Sequence, residues 1–404
     1  MKKLLSMILV ACMCLSLVAC GGNNGGGSTA GSGNSTAGGQ TQTGGEKTNS
    51  DSASQDEGKK ELVHWTMGCI DPGAWNAAYG PVYDQLEALK DDLNYDIIYA
   101  TRQSSSTDDT LAAVQNLIVS GADALVLGND VLMCYMQVAD ICEEAQVYWT
   151  MYWAGVTEED KVKLNDYKYY VGSTYEDEEY AGNWQGKAAG ELGCKNLCLI
   201  GAPDGFSFTI RRNAGLAQAC EEYGINILAE ERDITLTGSA AGGVDIVNRF
   251  LATYPDCDGI IIQGRTHSCL AGVVTALADA GKTEEIPVIA IDFNINQPEY
   301  FANGQEAAVI GGHHLGGMYN TILLTNIMNG TPLTDEKPYI LNGYIELTSA
   351  EECEQWAAHV WEDNAYHGDE ILQYIKAYNP DATYEDLIEL TQNYSLEDII
   401  ARHG

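Results

Sequence analysis

The residues of this chain that could do chemistry are sparse, and they sit where apolar runs end. Gly128, Asn129 and Asp130 follow the run Ala124-Leu125-Val126-Leu127. Asp292 closes Val288-Ile289-Ala290-Ile291, and Arg212 falls within a predicted helix that follows another such run. A charged group placed at a strand end or helix start needs a partner, so these positions suit hydrogen bonding to a small ligand. Turnover has no such support. The chain has no Gly-x-Ser-x-Gly elbow, no His-Glu-x-x-His pair, no phosphate loop and no Gly-x-Gly-x-x-Gly after its first strand. It is therefore read as a binding protein and not an enzyme. His313 and His314 are adjacent and diverge in direction, and Cys194 and Cys198 lack a second Cys/His pair, so neither a metal nor any other cofactor is implied.

The elements that must hold these residues form a βα series. Residues 108–130 carry its clearest unit: a helix with Ala112, Val114, Leu117 and Ile118 at helical spacing, Gly121 as its stop, then the apolar strand 124–127. A strand this short and uniformly apolar is a buried parallel one. Strands are predicted before it at 62–67 and 95–100 and after it at 147–153, with helices at 79–93 and 133–145. The series then starts again, with strands at 196–201, 225–232, 260–262, 288–291 and 307–312. The helices between them span 178–192, 209–223, 244–254 and 268–280, with one more at 316–328. Alternation at this spacing predicts an α/β fold with two doubly wound parallel-sheet lobes and a cleft between them. Residues 349–404 read as a helical extension with N-cap signatures at Ser349/Glu352, Thr383/Asp386 and Ser395/Asp398.

The N-terminus reads as targeting, not fold. Lys2 and Lys3 precede an apolar stretch too short to span a bilayer comfortably, which ends Leu17-Val18-Ala19-Cys20. That ending resembles a bacterial lipobox, which implies a signal peptide over 1–19 and lipid attachment at Cys20. Residues 20–60, rich in Gly, Ser and Thr, are expected to be a disordered tether. The protein should then lie outside the cytoplasmic membrane, held to the cell membrane by a lipid anchor alone. A net charge of −37 argues against nucleic acid as a partner. Of 12 cysteines, Cys12, Cys14 and Cys20 fall in the leader. Most of the rest sit in apolar runs and read as small core residues of a protein that meets little oxidant.

Several segments together carry a family likeness. Residues 115–127, Tyr170-Val171-Gly172-Ser173, Arg212-Asn213-Ala214-Gly215-Leu216, the run from Tyr254 to Gly259 and the run from Val288 to Asp292 resemble, in order, the type I solute-binding proteins of bacterial ABC importers. The ribose- and galactose-binding branch is nearest in pattern, and the likeness spans roughly residues 62–348. It implies two lobes joined by a three-strand hinge, the first formed by 62–171 plus 312–342 and the second by 172–311 plus 343–404. It also implies a small-molecule, sugar-like ligand and ABC permease subunits as partners. By the same resemblance, Trp75 would stack on a sugar ring and Asn76 would hydrogen-bond it. Arg212 would fork two hydroxyls or a carboxylate. Asp292 would accept from paired hydroxyls, Gln263, Arg265 and Thr266 would line a second polar contact, and His313 would stand near a position often held by Gln. One residue departs from the pattern: Trp153 stands where the sugar binders usually carry Asp. An aromatic wall there favours a less hydroxylated ligand, so a nucleoside or another aromatic compound is the alternative. A sensor that docks on a membrane receptor kinase instead of a permease would have the same sequence features.

Overall fold

A computed structural model describes residues 61–403, except 72–75, 103, 105 and 265. The leader, the tether with Cys20, and the expected ligand contacts Trp75 and Arg265 lie outside the described residues. Of Asn76 only the backbone is described.

Five strands open the fold: β1 (Trp65–Asp71), β2 (Tyr95–Thr101), β3 (Ala124–Leu127), β4 (Tyr148–Met151) and β5 (Tyr170–Glu176). Helices α1 (Asn76–Leu89), α2 (Thr107–Val119), α3 (Tyr135–Ala145) and α4 (Glu158–Leu164) alternate with them. The second series runs α5 (Glu178–Glu191), β6 (Asn196–Gly201), α6 (Ser207–Tyr223), β7 (Asn226–Glu231), α7 (Ile234–Thr237) and α8 (Ala240–Thr253). It continues through β8 (Gly259–Gln263), α9 (Thr266–Asp279), β9 (Val288–Ile291), α10 (Gln297–Ala302) and β10 (Ala308–Gly311). Then come α11 (Gly316–Met328), β11 (Tyr339–Asn342), β12 (Ile345–Leu347), α12 (Ala350–Trp356), α13 (Gly368–Ile371), α14 (Tyr384–Asn393) and α15 (Leu396–His403).

These strands make two six-stranded sheets, ordered β11-β5-β4-β3-β1-β2 and β12-β10-β9-β8-β6-β7. The two orders are the same doubly wound pattern, with a reversal beside β1 in one sheet and beside β6 in the other. Every pairing is parallel except that of β12 with β10. The chain returns to the second sheet through only Gly343 and Tyr344, so β12 enters from the opposite end. It passes between sheets three times: after β5, after β10, and between β11 and β12. This is the α/β two-lobed architecture with a three-strand hinge that the sequence predicts.

The local causes are those that the sequence shows. All four residues of β3 and all four of β9 are buried, which selects apolar side chains on both faces. Helix α2 ends with the Gly121 N–H on the Ile118 carbonyl and the Ala122 N–H on that of Leu117. This double return closes a helix only if the residue after the cap is left-handed, and Gly121 has φ +96°. Ser349, Thr383 and Ser395 each accept the backbone N–H three residues on, at 3.1–3.2 Å. The nine described cysteines are unbridged and buried.

Three readings need correction. The first-sheet ladder continues to Glu176, past the boundary drawn at 171, because β5 pairs with both β4 and β11. Strand β4 stops at Met151, short of the predicted 153, because Trp153 adopts a left-handed φ of +56°. The extension does not belong to the second lobe alone. Backbone groups of Tyr366 pair with the Gln85 side chain of α1, and Asn326 of α11 reaches Tyr374 and Lys376. On the other side, the Trp356 ring packs 4.6 Å from that of Phe293, beyond β9, and the Tyr394 hydroxyl donates to the Gly312 carbonyl. No helix among the described residues is long and apolar enough to cross a membrane.

Candidate functional site

Two helices of the second lobe set the first part of the site. Gly182 and Gly186 on α5 face α6, and Gly215 on α6 faces α5. A β-carbon on Gly215 would lie 1.8 Å from the Glu179 carbonyl, and one on Gly182 would lie 1.9 Å from the Arg212 carbonyl. The helices can approach this closely only because both residues lack side chains. The approach brings Arg212 against Glu178, the first residue of α5. The Arg212 Nε lies 2.5 Å from the carboxylate, and its Nη1 donates to the Gln263 carbonyl at 3.1 Å. The Tyr344 hydroxyl donates to the same carboxylate at 3.1 Å. Burial works against the Arg212 charge, but Glu178 above all, then Tyr344 and Asp292, more than offset it, so the guanidinium stays protonated.

Asp292 and His313 complete this cluster from the ends of β9 and β10. The His313 Nε2 stands 3.3 Å from the Asp292 carboxylate. Burial would raise the Asp292 pKa, yet Arg212, His313 and His267 together hold the carboxyl below its ordinary value. Burial keeps His313 below the usual imidazole range despite the attraction of Asp292. Glu176, at the end of β5, has its carboxyl driven well upward by burial and then by the neighbouring Glu178 charge. Asp292 has φ +79°, as Trp153 has +56°, and both stand at the carboxyl ends of strands. Left-handed backbone in a residue other than glycine costs about 1 kcal/mol and concentrates where a side chain must be aimed.

The first lobe contributes an aromatic wall. The Trp153 indole N–H donates to the His313 carbonyl at 3.0 Å, and the Asn342 side-chain amide donates to the same oxygen. Trp153 meets Tyr79, Tyr152 and His313 edge to face at centroid distances of 5.1–5.7 Å. Tyr79 donates to Asn129 at 2.7 Å, and Asp130 beside it is buried in an ion pair with Arg102. Burial lifts the Asp130 carboxyl above its ordinary value even so.

Trp153, Arg212, Gln263, Asp292 and His313 thus come together, and Asp130 joins through Tyr79. Thr266 does not aim the same way, since its hydroxyl donates to the Ile291 carbonyl. Several buried polar atoms in the cluster have no hydrogen-bond partner within the protein: both side-chain polar atoms of Gln263, the His313 Nδ1, the Asn342 carbonyl oxygen and the Asp130 Oδ2. Such atoms normally cost free energy unless a ligand or water engages them. A cavity of about 340 Å³ is lined not by these residues but by Pro81 and Asp84 of α1, by His267, by Phe293 to Asn296, which follow Asp292, and by Trp361 from the extension. That is within the range for small-molecule sites.

Sequence reasoning missed Glu178, Glu176, Tyr344, Asn342 and His267. Glu178 looks like an ordinary first-turn acid favoured by the helix dipole, and Asn342 lies on a strand too short to announce itself. A partner for Arg212 was demanded by its burial, but nothing along the chain pointed to Glu178.

No protein-family model matches the chain, and no curated protein matches its sequence. Solved structures do match its fold. A periplasmic solute-binding protein of an ABC transporter from Actinobacillus succinogenes, with bound D-allose, superposes with a TM-score of 0.61 at 16% identity, covering 72% of this chain and 99% of that one. The binding protein of the arabinose ABC transporter from Shewanella sp. ANA-3, bound to L-arabinofuranose, gives 0.61 at 17% identity, covering 74% and 95%. GanP, a glucose-galactose binding protein from Geobacillus stearothermophilus, gives 0.57 at 15% identity, covering 71% and 98%. The fold is that of the type I solute-binding proteins. At these identities the likeness speaks for the fold alone.

Proposed function

We propose that the protein is an extracytoplasmic solute-binding lipoprotein that captures a sugar or sugar derivative between its lobes and delivers it to an ABC importer permease. The observation that carries this reading is the set of buried, unpaired polar atoms on Gln263, His313 and Asn342, gathered beside Asp292 at strand ends of both sheets. A polyhydroxylated ring supplies donors and acceptors for such atoms, and the aromatic faces nearby suit its apolar side. The sugars bound by the fold neighbours agree with this class. Closure is driven only by the ligand's higher affinity for the closed form.

A thermal-shift screen of the full chain against pentoses, hexoses, disaccharides, nucleosides and amino acids tests the reading. A ligand at a hundred times its Kd adds roughly 2.7 kcal/mol to stability, a shift of several degrees. Asp292→Asn, which keeps the shape and removes the charge, should abolish the sugar shift while the ligand-free melting stays close to wild type. A shift with nucleosides and none with sugars would instead favour the second reading, an aromatic ligand stacked in the wall of Tyr79, Tyr152 and Trp153. Arg212→Ala is the poorer probe: it strands the Glu178 carboxylate, and breaking such a buried pair costs about 3–5 kcal/mol of stability.

The lipid anchor is a separate part of the proposal and rests on the lipobox at Cys20. Metabolic labelling with a radioactive fatty acid should mark the wild type and not Cys20→Ser; equal labelling of the two would refute it.

A further inference from the structure

Outside the cleft, the extension gathers Asp363, His367 and His403, and we propose that these three hold a divalent transition-metal ion of the zinc class. One ligand atom from each lies within 4.8 Å of the others. The two imidazole rings stack in parallel with centroids 4.1 Å apart. The His367 Nε2 is 3.5 Å from the Asp363 carboxylate. Adjacent ligand atoms of a tetrahedral zinc site with bonds of 2.0–2.1 Å are about 3.3 Å apart, so this pair is already near the required spacing.

His403 supplies the independent observation. Its side chain is only 3% exposed, and its Nδ1 is buried with no hydrogen-bond partner. The Nε2 lies 3.1 Å from the Glu370 carboxylate, and the tautomer that donates a proton there carries its lone pair on Nδ1. Arg402 Nη1 also lies within hydrogen-bond distance of this Nε2, at 3.2 Å, and the guanidinium donates to Glu370, Asp398 and the Ala365 carbonyl. A carboxylate behind a histidine, with the other ring nitrogen left bare, is the arrangement that orients a metal ligand. Glu370 and Asp398 both pair with the single guanidinium of Arg402, and Asp363 adds a third carboxylate beside His367, so the local charge favours a cation. Imidazole with carboxylate selects zinc, nickel or copper over magnesium or calcium.

His367 and Asp363 are exposed enough to move, with side chains 42% and 54% accessible, so closing the site needs side-chain rotation and the loss of the 3.1 Å contact from His367 to the Asp363 carbonyl. Metal would then tie the loop before α13 to α15.

The test is calorimetric titration of the untagged, chelator-stripped full chain with zinc, and absorption spectroscopy with cobalt(II). One equivalent should bind at micromolar Kd or tighter, with tetrahedral cobalt bands and a raised melting temperature. His367→Ala, a half-buried change, should weaken binding at least about tenfold, and its metal-free melting temperature, lowered by the lost stack on His403, should no longer rise on adding zinc. Asp363→Asn should weaken it too. No zinc binding below about 100 μM would overturn the proposal. So would wild-type affinity in both variants, since it would assign the metal to the acidic surface or the buried thiols.

Discussion

Glu306 shows how a single residue can set the pH response of the second lobe. It is 3% exposed, accepts one hydrogen bond from Gln297 at 2.7 Å, and has its other oxygen buried without a partner. Burial pushes its carboxyl up to about 8, against the opposing effect of Gln297. An acid whose pKa is raised by folding keeps its proton in the native state after the unfolded chain has lost its own. Stability must therefore fall as pH rises from about 4.5 toward 8, and level off above. At pH 7 the cost is on the order of 3 kcal/mol. Glu306→Gln keeps the hydrogen-bonding shape and cannot ionise. Urea unfolding at pH 5 and pH 7 should show the variant more stable than wild type at pH 7 and close to it at pH 5. Equal stability at both would mean that the carboxyl is ionised and compensated. Residues such as this one are invisible in the sequence, where Glu306 sits in the polar loop Gly304-Gln305-Glu306 and reads as exposed.

At the scale of elements, the pairing of α5 with α6 decides whether a binding cluster exists at all. Glycine at 182, 186 and 215 lets two backbones approach until Arg212 and Glu178 meet. Gly215→Ala puts a methyl group where the Glu179 carbonyl already stands. The helices must part, at a cost of about 1–3 kcal/mol from overpacking, with the Arg212–Glu178 pair stretched. Ligand affinity should fall along with the melting temperature, and a variant that kept both would show that this contact does not position Arg212. The Arg212-Asn213-Ala214-Gly215 motif was recognisable in the sequence; that its Gly serves the helix contact was not, because a glycine inside a helical pattern reads first as a weak point. Helix α4 escaped prediction for a related reason. Glu158-Glu159-Asp160-Lys161 has no apolar stripe to read, and the segment is held by its Thr157 cap, its charge pairs and the burial of Leu164.

Across the whole molecule, the helical extension bonds to α1 and α11 on one side and packs against Phe293 and Gly312 on the other. It also contributes Trp361 to the lining of the cavity beside Phe293, so it is packed into both sides of the fold and is more than an appendage. Periodicity and caps by themselves determined the βα alternation, the doubling into two lobes, the helix starts at Ser349, Thr383 and Ser395, and the apolar strands whose ends carry Asp130, Gln263 and Asp292. These features are local, written into residues a few positions apart by the geometry of helix and strand. Only the tertiary structure decided which polar groups face one another: Glu178 with Arg212, Asp292 with His313, Trp153 and Asn342 on one carbonyl, and His367 with His403. Those pairings join residues tens to more than a hundred positions apart. Burial and charge bring them together in space, and no spacing along the chain records it.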